Sequence, residues 1–178
     1  MRGVTAEAIS APAEQAGETF EELYRRSFRR VYAYTASMLR DRAAAEEVTA
    51  EAFERAWRKR RSYRPGRGSA EAWVVGIARN AALDELRRRK RRGELADDTP
   101  DIWSEPPEEA AELALRRRSL RAALGTLDAR EREIVALKFS AGLSNSEIAG
   151  VLGLSESNAG TKLHRVMEKL RRACDDDA

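Results

Sequence analysis

The sequence predicts an all-α protein: two small helical domains joined by an acidic, flexible linker, the C-terminal one a four-helix domain with a helix-turn-helix. Three observations carry this. Apolar residues recur at helical spacing on both sides of a single interruption. That interruption, Gly93–Glu109, holds three prolines, seven acids and no basic residue. Near the end, Ser144 stands three residues before Glu147 in capping-box spacing and opens a short apolar helix, Ile148, Ala149, Val151 and Leu152. Gly153 breaks that helix and Ser155 is a good N-cap for the next.

Charge sharpens the division. The net +3 over 178 residues hides a segregated pattern. Residues 1–92 carry 21 basic and 13 acidic side chains, residues 93–110 none and seven, and residues 111–178 twelve and ten. Two basic bodies with an acidic strap between them suit a polyanionic partner, because a polyanion responds to the local field. One cysteine, Cys174, excludes an internal disulfide and fits a reducing compartment. With a single histidine, His164, it cannot make a conventional zinc site, so no metal and no cofactor are expected. No apolar run approaches a membrane span, and the N-terminus lacks a signal-peptide core; the expected location is the cytoplasm.

In order, residues 1–17 read as a disordered tail, and a first domain covers 18–92. Phe20, Leu23, Tyr24, Phe28, Val31, Tyr32, Thr35, Met38 and Leu39 recur at helical spacing, giving a helix over 18–39 with core aromatics. A second helix, 43–60, sets Val48, Ala52, Phe53, Ala56 and Trp57 on one side and Glu46, Glu47, Glu51 and Glu54 on the other. Its acidic face is either a solvated surface or a docking surface. Pro65, Gly66 and Gly68 make 62–69 a loop. It carries Tyr63, Arg64 and Arg67, a set able to stack on and clamp an unstacked base, though equally at home on a wet surface. A long helix, 70–91, follows with Trp73, Val74, Ile77, Ala78, Ala81, Ala82 and Leu86 apolar and with Arg79, Asn80 and Asp84 polar. It ends in six consecutive cations, Arg87 to Arg92, which repel one another and favour a counter-anion.

The linker spans 93–109, with Trp103 a candidate to pin it; lying over the basic faces, it would mask them in the free protein. The second domain covers 110–173, with helices over 110–124 and 129–139, the latter capped by Asp128 and burying Ile134, Val135, Leu137 and Phe139. In the last helix Ala159, Leu163, Val166 and Leu170 form one buried stripe, and Asn158, Thr161, Lys162, Arg165 and Lys169 the other face. Gly160, which costs about 1 kcal/mol in a helix relative to alanine, would leave room for a close approach to DNA. Residues 174–178 read as a frayed end.

Three segments carry a resemblance. The acidic segment is Glu46-Glu47-Val48-Thr49-Ala50-Glu51-Ala52-Phe53 with Ala56-Trp57. The second runs from Ala72-Trp73 through Ile77-Ala78-Arg79-Asn80 and Asp84 to Arg87-Arg88. The third runs from Leu127 to Arg171 and includes Leu163-His164-Arg165. In this order and spacing the chain resembles the bacterial extracytoplasmic-function (ECF, group 4, sigma-70 class) RNA polymerase sigma factors, which keep a region 2 and a region 4. The resemblance implies a subunit that performs no chemistry, binds core RNA polymerase and directs initiation by recognising −35 and −10 elements. It implies that Glu46, Glu47, Glu51, Phe53, Glu54 and Trp57 dock on the β′ clamp helices, with the β flap as a further contact. Tyr63, Arg64, Arg67, Arg79, Asn80, Asp84, Arg87, Arg88, Lys90 and Arg91 would form the −10 module on single-stranded DNA. Ser155, Glu156, Ser157, Asn158, Thr161, Lys162, Arg165 and Lys169 would meet the −35 duplex, the amides reading base edges and Arg165 and Lys169 holding phosphates. An anti-sigma factor is the implied regulator, and a monomer the implied state outside the holoenzyme. Ala50 replaces a common glutamine, and Asn158-Ala159 a common Thr-Val pair. Two other readings stay open on the residues alone: a helix-turn-helix regulator that acts without polymerase, and a helical adaptor that binds no DNA.

Overall fold

The computed structural model describes residues 18–93 and 111–175, all helical apart from short turns; the tail and linker expectations fall outside them, as do residues 176–178. Apart from α4, whose start borders the undescribed residues, each α-helix starts where a side chain satisfies one or more of its first free N–H groups. Helix α1 (Phe20–Leu39) opens on a Thr19–Glu22 capping box and stops at Arg40, which adopts a left-handed φ of 51°. Asp41 then caps α2 (Arg42–Lys59) by accepting from the Ala44 N–H at 3.0 Å. Ser69 caps α3 (Ala70–Arg92), which ends on Gly93 at φ 72°. After α4 (Ala111–Gly125), Asp128 and Glu131 form a second capping box at the head of α5 (Ala129–Val135). Ser144 and Glu147 form a third, heading α6 (Asn145–Leu152), and α7 (Glu156–Asp175) closes the chain.

Helices α1, α2 and α3 pack mutually, with alanines at the closest approaches: Ala45, Ala52, Ala56, Ala78 and Ala82 are all fully buried. Thr35 and Thr49, also fully buried, satisfy each other's hydroxyls at 2.8 Å across α1 and α2. In the second unit Ala159, Leu163, Val166 and Leu170 of α7 are buried against α4, α5 and α6, so the apolar stripe is where its spacing puts it.

Three expectations need correcting. The helix expected over 129–139 narrows to α5 and is followed by a π-helical turn, Ala136–Ser140, in which the Ala141 N–H reaches back to the Ala136 carbonyl at 2.9 Å. The wider turn swings Phe139 outward, 61% exposed, instead of into the core. In α1 the aromatic row is not the core row. Tyr24 and Phe28 are half-exposed, while Leu23, Ser27, Val31 and Tyr34 are buried. Ser27 belongs in that row because its hydroxyl donates to the Leu23 carbonyl at 2.6 Å, leaving no polar atom unpaired.

The third correction concerns the two units, which are packed together rather than merely tethered. One apolar cluster runs from Leu23, Val31 and Tyr34 through Val74 and Val75 to Leu137, Ile148 and Leu163. The π-helical turn lies on α1, and α6 on α3. Ser37 and Ser140 share a hydrogen bond at 2.9 Å, and the Arg30 guanidinium lies against Gly142. The Tyr34 phenol is fully buried with no hydrogen-bond partner among the described residues; burial pushes its pKa up.

Candidate nucleic-acid interface

Two 3₁₀ turns, Arg60–Ser62 and Pro65–Arg67, shape the segment before α3. Tyr63 donates its hydroxyl to the Gly68 carbonyl at 3.1 Å and sets its ring 5.5 Å from that of Trp73. Gly68 has φ 130°, which a side chain would strain. Burial raises the Tyr63 phenol's pKa, so it remains a neutral donor. Arg64 donates to the Arg61 carbonyl at 3.0 Å, and Arg64 and Arg67 are exposed. With Trp73, Ile77 and Asn80 these residues line a cleft of about 680 Å³. Its opposite wall belongs to α6: Ser146, Glu147, Gly150 and Val151. The Ser69 hydroxyl donates to the Glu147 carboxylate across the cleft. Burial disfavours the charged form of Glu147, but hydrogen bonds from Ser69 and Ser144 outweigh it and hold its pKa below the ordinary value.

Further along α3 the predicted residues separate. Asn80 is exposed in the cleft, whereas Arg79 places Nε 2.7 Å and Nη2 3.3 Å from the Glu133 carboxylate of α5. Asp84 pairs with Arg87 at 3.0 Å. The run of six cations is not six available charges. Glu85 takes Arg88 at 3.0 Å, Arg89 at 2.9 Å and Arg92 at 3.5 Å, and Arg89 also reaches Asp41 at 3.0 Å. Burial pushes Glu85 up, but the Arg89 and Arg88 guanidinium groups outweigh it and hold it low. Lys90 and Arg91 point into solvent with Arg87 and Arg88.

Ser155, just before α7, and Glu156, Ser157, Asn158, Thr161, Lys162 and Arg165 on it are all exposed, and Asn158, Thr161, Lys162 and Arg165 share one face by helical spacing. Ser155 accepts from the Asn158 N–H at 3.2 Å, which fixes the first turn, and Thr161 donates to the Ser157 carbonyl at 2.9 Å. Lys169 does something else: its ammonium donates to the Thr126 carbonyl at 3.0 Å and to Glu131 at 2.7 Å. Gly160 corrects an expectation too. It turns toward α6, and a Cβ there would stand 3.6 Å from the Asn145 amide nitrogen, so the space it leaves is not on the outward face. Ala159 is buried, and within Asn158–Gly160 only Asn158 faces out.

On α2, Glu46, Glu47 and Glu54 are exposed and Glu51 is half-buried. Three of these acids pair along their own helix: Glu46 with Arg42 at 3.0 Å, Glu51 with Arg55 at 2.5 Å and Glu54 with Arg58 at 2.5 Å. Phe53 is buried beneath Tyr24 and Phe28, its ring 4.8 Å and 6.0 Å from theirs. Trp57 is half-buried between Phe20 at 5.1 Å and the Arg60 guanidinium at 3.9 Å. The exposed part of this aromatic cluster, Tyr24 and Phe28, was missed by sequence reasoning, as were Glu85 and Glu133. The signal for the first was in the sequence: two neighbouring i, i+4 rows on α1 cannot both face one core.

These surfaces coincide with two family models: Sigma-70 region 2 over residues 23–92 and Sigma-70 region 4 over residues 117–170. Among curated relatives, the RNA polymerase sigma factor CarQ of Myxococcus xanthus is 36% identical over 88% of this chain and 89% of its own. The ECF RNA polymerase sigma factor BldN of Streptomyces coelicolor is 33% identical over 92% of this chain, which spans only 64% of that relative's length. Among solved structures, the sigma factor RpoE of Bartonella quintana, in complex with the anti-sigma factor NepR, superposes with a TM-score of 0.70 at 22% identity, covering 89% of this chain and 98% of its own. CnrH, in complex with the cytosolic domain of CnrY, superposes at 0.65 and 25% identity, covering 97% and 96%. The chain belongs to the extracytoplasmic-function family of RNA polymerase sigma factors, which act without catalysing a reaction.

Proposed function

We propose that the protein is a promoter-specificity subunit that binds core RNA polymerase in the cytoplasm, recognises −35 and −10 elements and aids promoter opening. The observation that carries this reading is α7, which buries its apolar stripe and turns Asn158, Thr161, Lys162 and Arg165 outward together. With α6 and the tight turn at Gly153 it forms a helix-turn-helix, and an outward amide beside two cations suits a major groove. Asn158 reads a base edge and Arg165 holds a phosphate.

The cleft of Tyr63, Trp73 and Asn80 takes an unstacked base of the −10 strand. It offers an aromatic wall and an amide, with Arg64, Arg67, Lys90 and Arg91 near the backbone. The exposed acids of α2, with the Tyr24–Phe28 ridge beside them, dock on the β′ clamp helices. The acidic linker joins the two DNA-binding units, and an anti-sigma factor covers their surfaces, the kind of partner that RpoE has in its solved complex with NepR. In vitro transcription with purified core polymerase on candidate promoters tests the reading. Promoter-specific transcripts that depend on this chain support it; failure to bind core, or binding without such transcripts, contradicts it.

A further inference from the structure

We infer that Glu85 is a positioning residue for promoter selectivity. It draws Arg88, Arg89 and Arg92 toward the side of α3 away from the cleft, so that the basic terminus meets DNA chiefly through Arg87, Lys90 and Arg91 and holds non-promoter DNA weakly. The inference rests on the reading of the Tyr63–Asn80 cleft as the single-strand site.

A helix turns about 100° per residue, so the end of α3 presents two stripes. Asn80, in the cleft, and Asp84, Arg87 and Arg91 lie within about 40° of one line, over about 16 Å of helix. Glu85, Arg89 and Arg92 lie about 120–180° from that line, and Arg88 stands between. The Glu85 and Arg89 side chains are only 14% and 12% exposed and meet at 2.9 Å. Arg89 continues to Asp41, the N-cap of α2, at 3.0 Å, which fastens this side of α3 to the start of α2. Arg88 and Arg92, each about half exposed, reach the same Glu85 carboxylate at 3.0 Å and 3.5 Å. Burial works against the charge on Glu85, yet the Arg89 and Arg88 guanidinium groups keep it a carboxylate. The neighbouring acid cannot do this work. Asp84 is 53% exposed and pairs with Arg87 along the surface, where solvent screens the pair.

The consequence follows from how DNA binding depends on charge. Sequence-independent affinity comes from neutralised phosphates, and each added contact steepens the salt dependence by about 0.7 for a single strand. Six undivided cations at the end of α3 would grip any strand. A strand whose base sits in the cleft is held in register and runs along the Asn80–Arg91 stripe, so cations on the far side add little to it. A strand without that anchor has no register and can settle on whichever cations are loose. By holding three guanidinium groups on one carboxylate, Glu85 lowers the second affinity more than the first, and selectivity is the ratio of the two.

The test is Glu85→Gln, which keeps the shape and removes the charge. The full chain is titrated with a random-sequence single-stranded oligonucleotide over a salt series, and the holoenzyme with promoter and random duplexes. Affinity for the random strand is expected to rise about three- to tenfold near 0.1 M salt, with a slope steeper by about 0.7. Promoter affinity of the holoenzyme is expected to change by less than about twofold, so that discrimination against random DNA falls. Adding Arg88→Gln to Glu85→Gln should return the slope to the wild-type value. A merely structural role would lower the melting temperature without steepening the slope, and the second substitution would not reverse it. An unchanged slope, or promoter affinity rising in step with random-strand affinity, overturns the inference. If the wild-type holoenzyme shows no preference for any promoter, the promoter-specificity reading fails, while the random-strand slopes still decide whether Glu85 withholds cations.

Discussion

Lys169 of α7 places its ammonium 2.7 Å from the Glu131 carboxylate of α5 and 3.0 Å from the Thr126 carbonyl, tying the last helix to the turn that precedes α5. A lysine on the outward side of a recognition helix would ordinarily be assigned to phosphate. Here its first partners are the protein's own, and this separates it from Arg165, one turn earlier.

That separation gives a three-way prediction for DNA binding by the holoenzyme. Arg165→Ala should weaken −35 binding across all sequences and reduce the salt slope by about one. Asn158→Ala should instead change base preference, by about 1–3 kcal/mol at one position. Lys169→Met should leave both measures close to wild type and lower the unfolding free energy by about 0.5–1 kcal/mol, a partly exposed tether being worth little more. Filter binding over a salt series on a set of −35 variants reads all three. Loss of salt dependence in Lys169→Met would show that its ammonium leaves Glu131 for the DNA.

Gly160→Ala should stabilise the protein by about 0.5–1 kcal/mol, because alanine is the better helix former and the added Cβ finds ordinary contact distance at Asn145. Duplex affinity should not fall. Urea denaturation with the same binding assay checks this, and weakened DNA binding would place the glycine's role at the groove after all. Gly68→Ala should act oppositely: at φ 130° a side chain is strained by about 1–3 kcal/mol, and the Tyr63 tether is disturbed with it.

Acid should loosen α2 from α3. Asp41 is held below its ordinary value of 3.8, first by the Ala44 N–H and then by Arg89. Glu85 and Glu131 are held below 4.5, by the Arg89 and Arg88 guanidinium groups and by Lys169. Carboxylates with lowered folded-state pKa values contribute stability that is full above their unfolded values and lost as pH falls through the folded ones. Stability should therefore be flat from neutrality to about pH 5 and drop below about pH 4.5. Asp41→Ala should shrink the drop and cost about 1–2 kcal/mol at neutral pH, mainly through the lost cap, Arg89 keeping Glu85 as its partner. Urea midpoints at a series of pH values measure both, and a midpoint that rises on acidification would refute the assignment.

Phe28→Ala removes an exposed ring from the Tyr24–Phe53 cluster. It should lower affinity for core polymerase about tenfold while costing about 1–2 kcal/mol in stability, since Phe28 is 36% exposed and the rest of it packs on neighbouring rings. Co-sedimentation with core reads the first and thermal unfolding the second. Full core affinity would mean that docking rests on the α2 acids alone.

Much of this was legible in the chain. Asp128, Ser144 with Glu147, and Ser155 announced helix starts by local chemistry, and local chemistry is what a sequence records. The stripe of α7 and its outward residues followed from a period of 3.6. What could not be read depends on neighbours distant in sequence. Ser27 joins the core because its hydroxyl finds a carbonyl one turn back, and it misled the assignment of the aromatic row. The π-helical turn inserts one residue of slack that no propensity announces, and it turns Phe139 outward. The Arg79–Glu133 pair spans 54 residues and two family domains, so nothing in either segment foretold it. The Glu85 cluster was nearer to hand: an acid two to seven residues from Arg87–Arg92 should have been counted against their charge.

Promoter specificity exercised through core polymerase is tested most directly by run-off transcription. Purified core polymerase, with and without this chain, is presented with a panel of promoter templates and with the same panel altered at the −35 and −10 positions. Transcripts are expected from a small subset, wholly dependent on the chain and abolished by changes at either element. Transcripts that ignore both elements, or none at all despite binding to core, would contradict it.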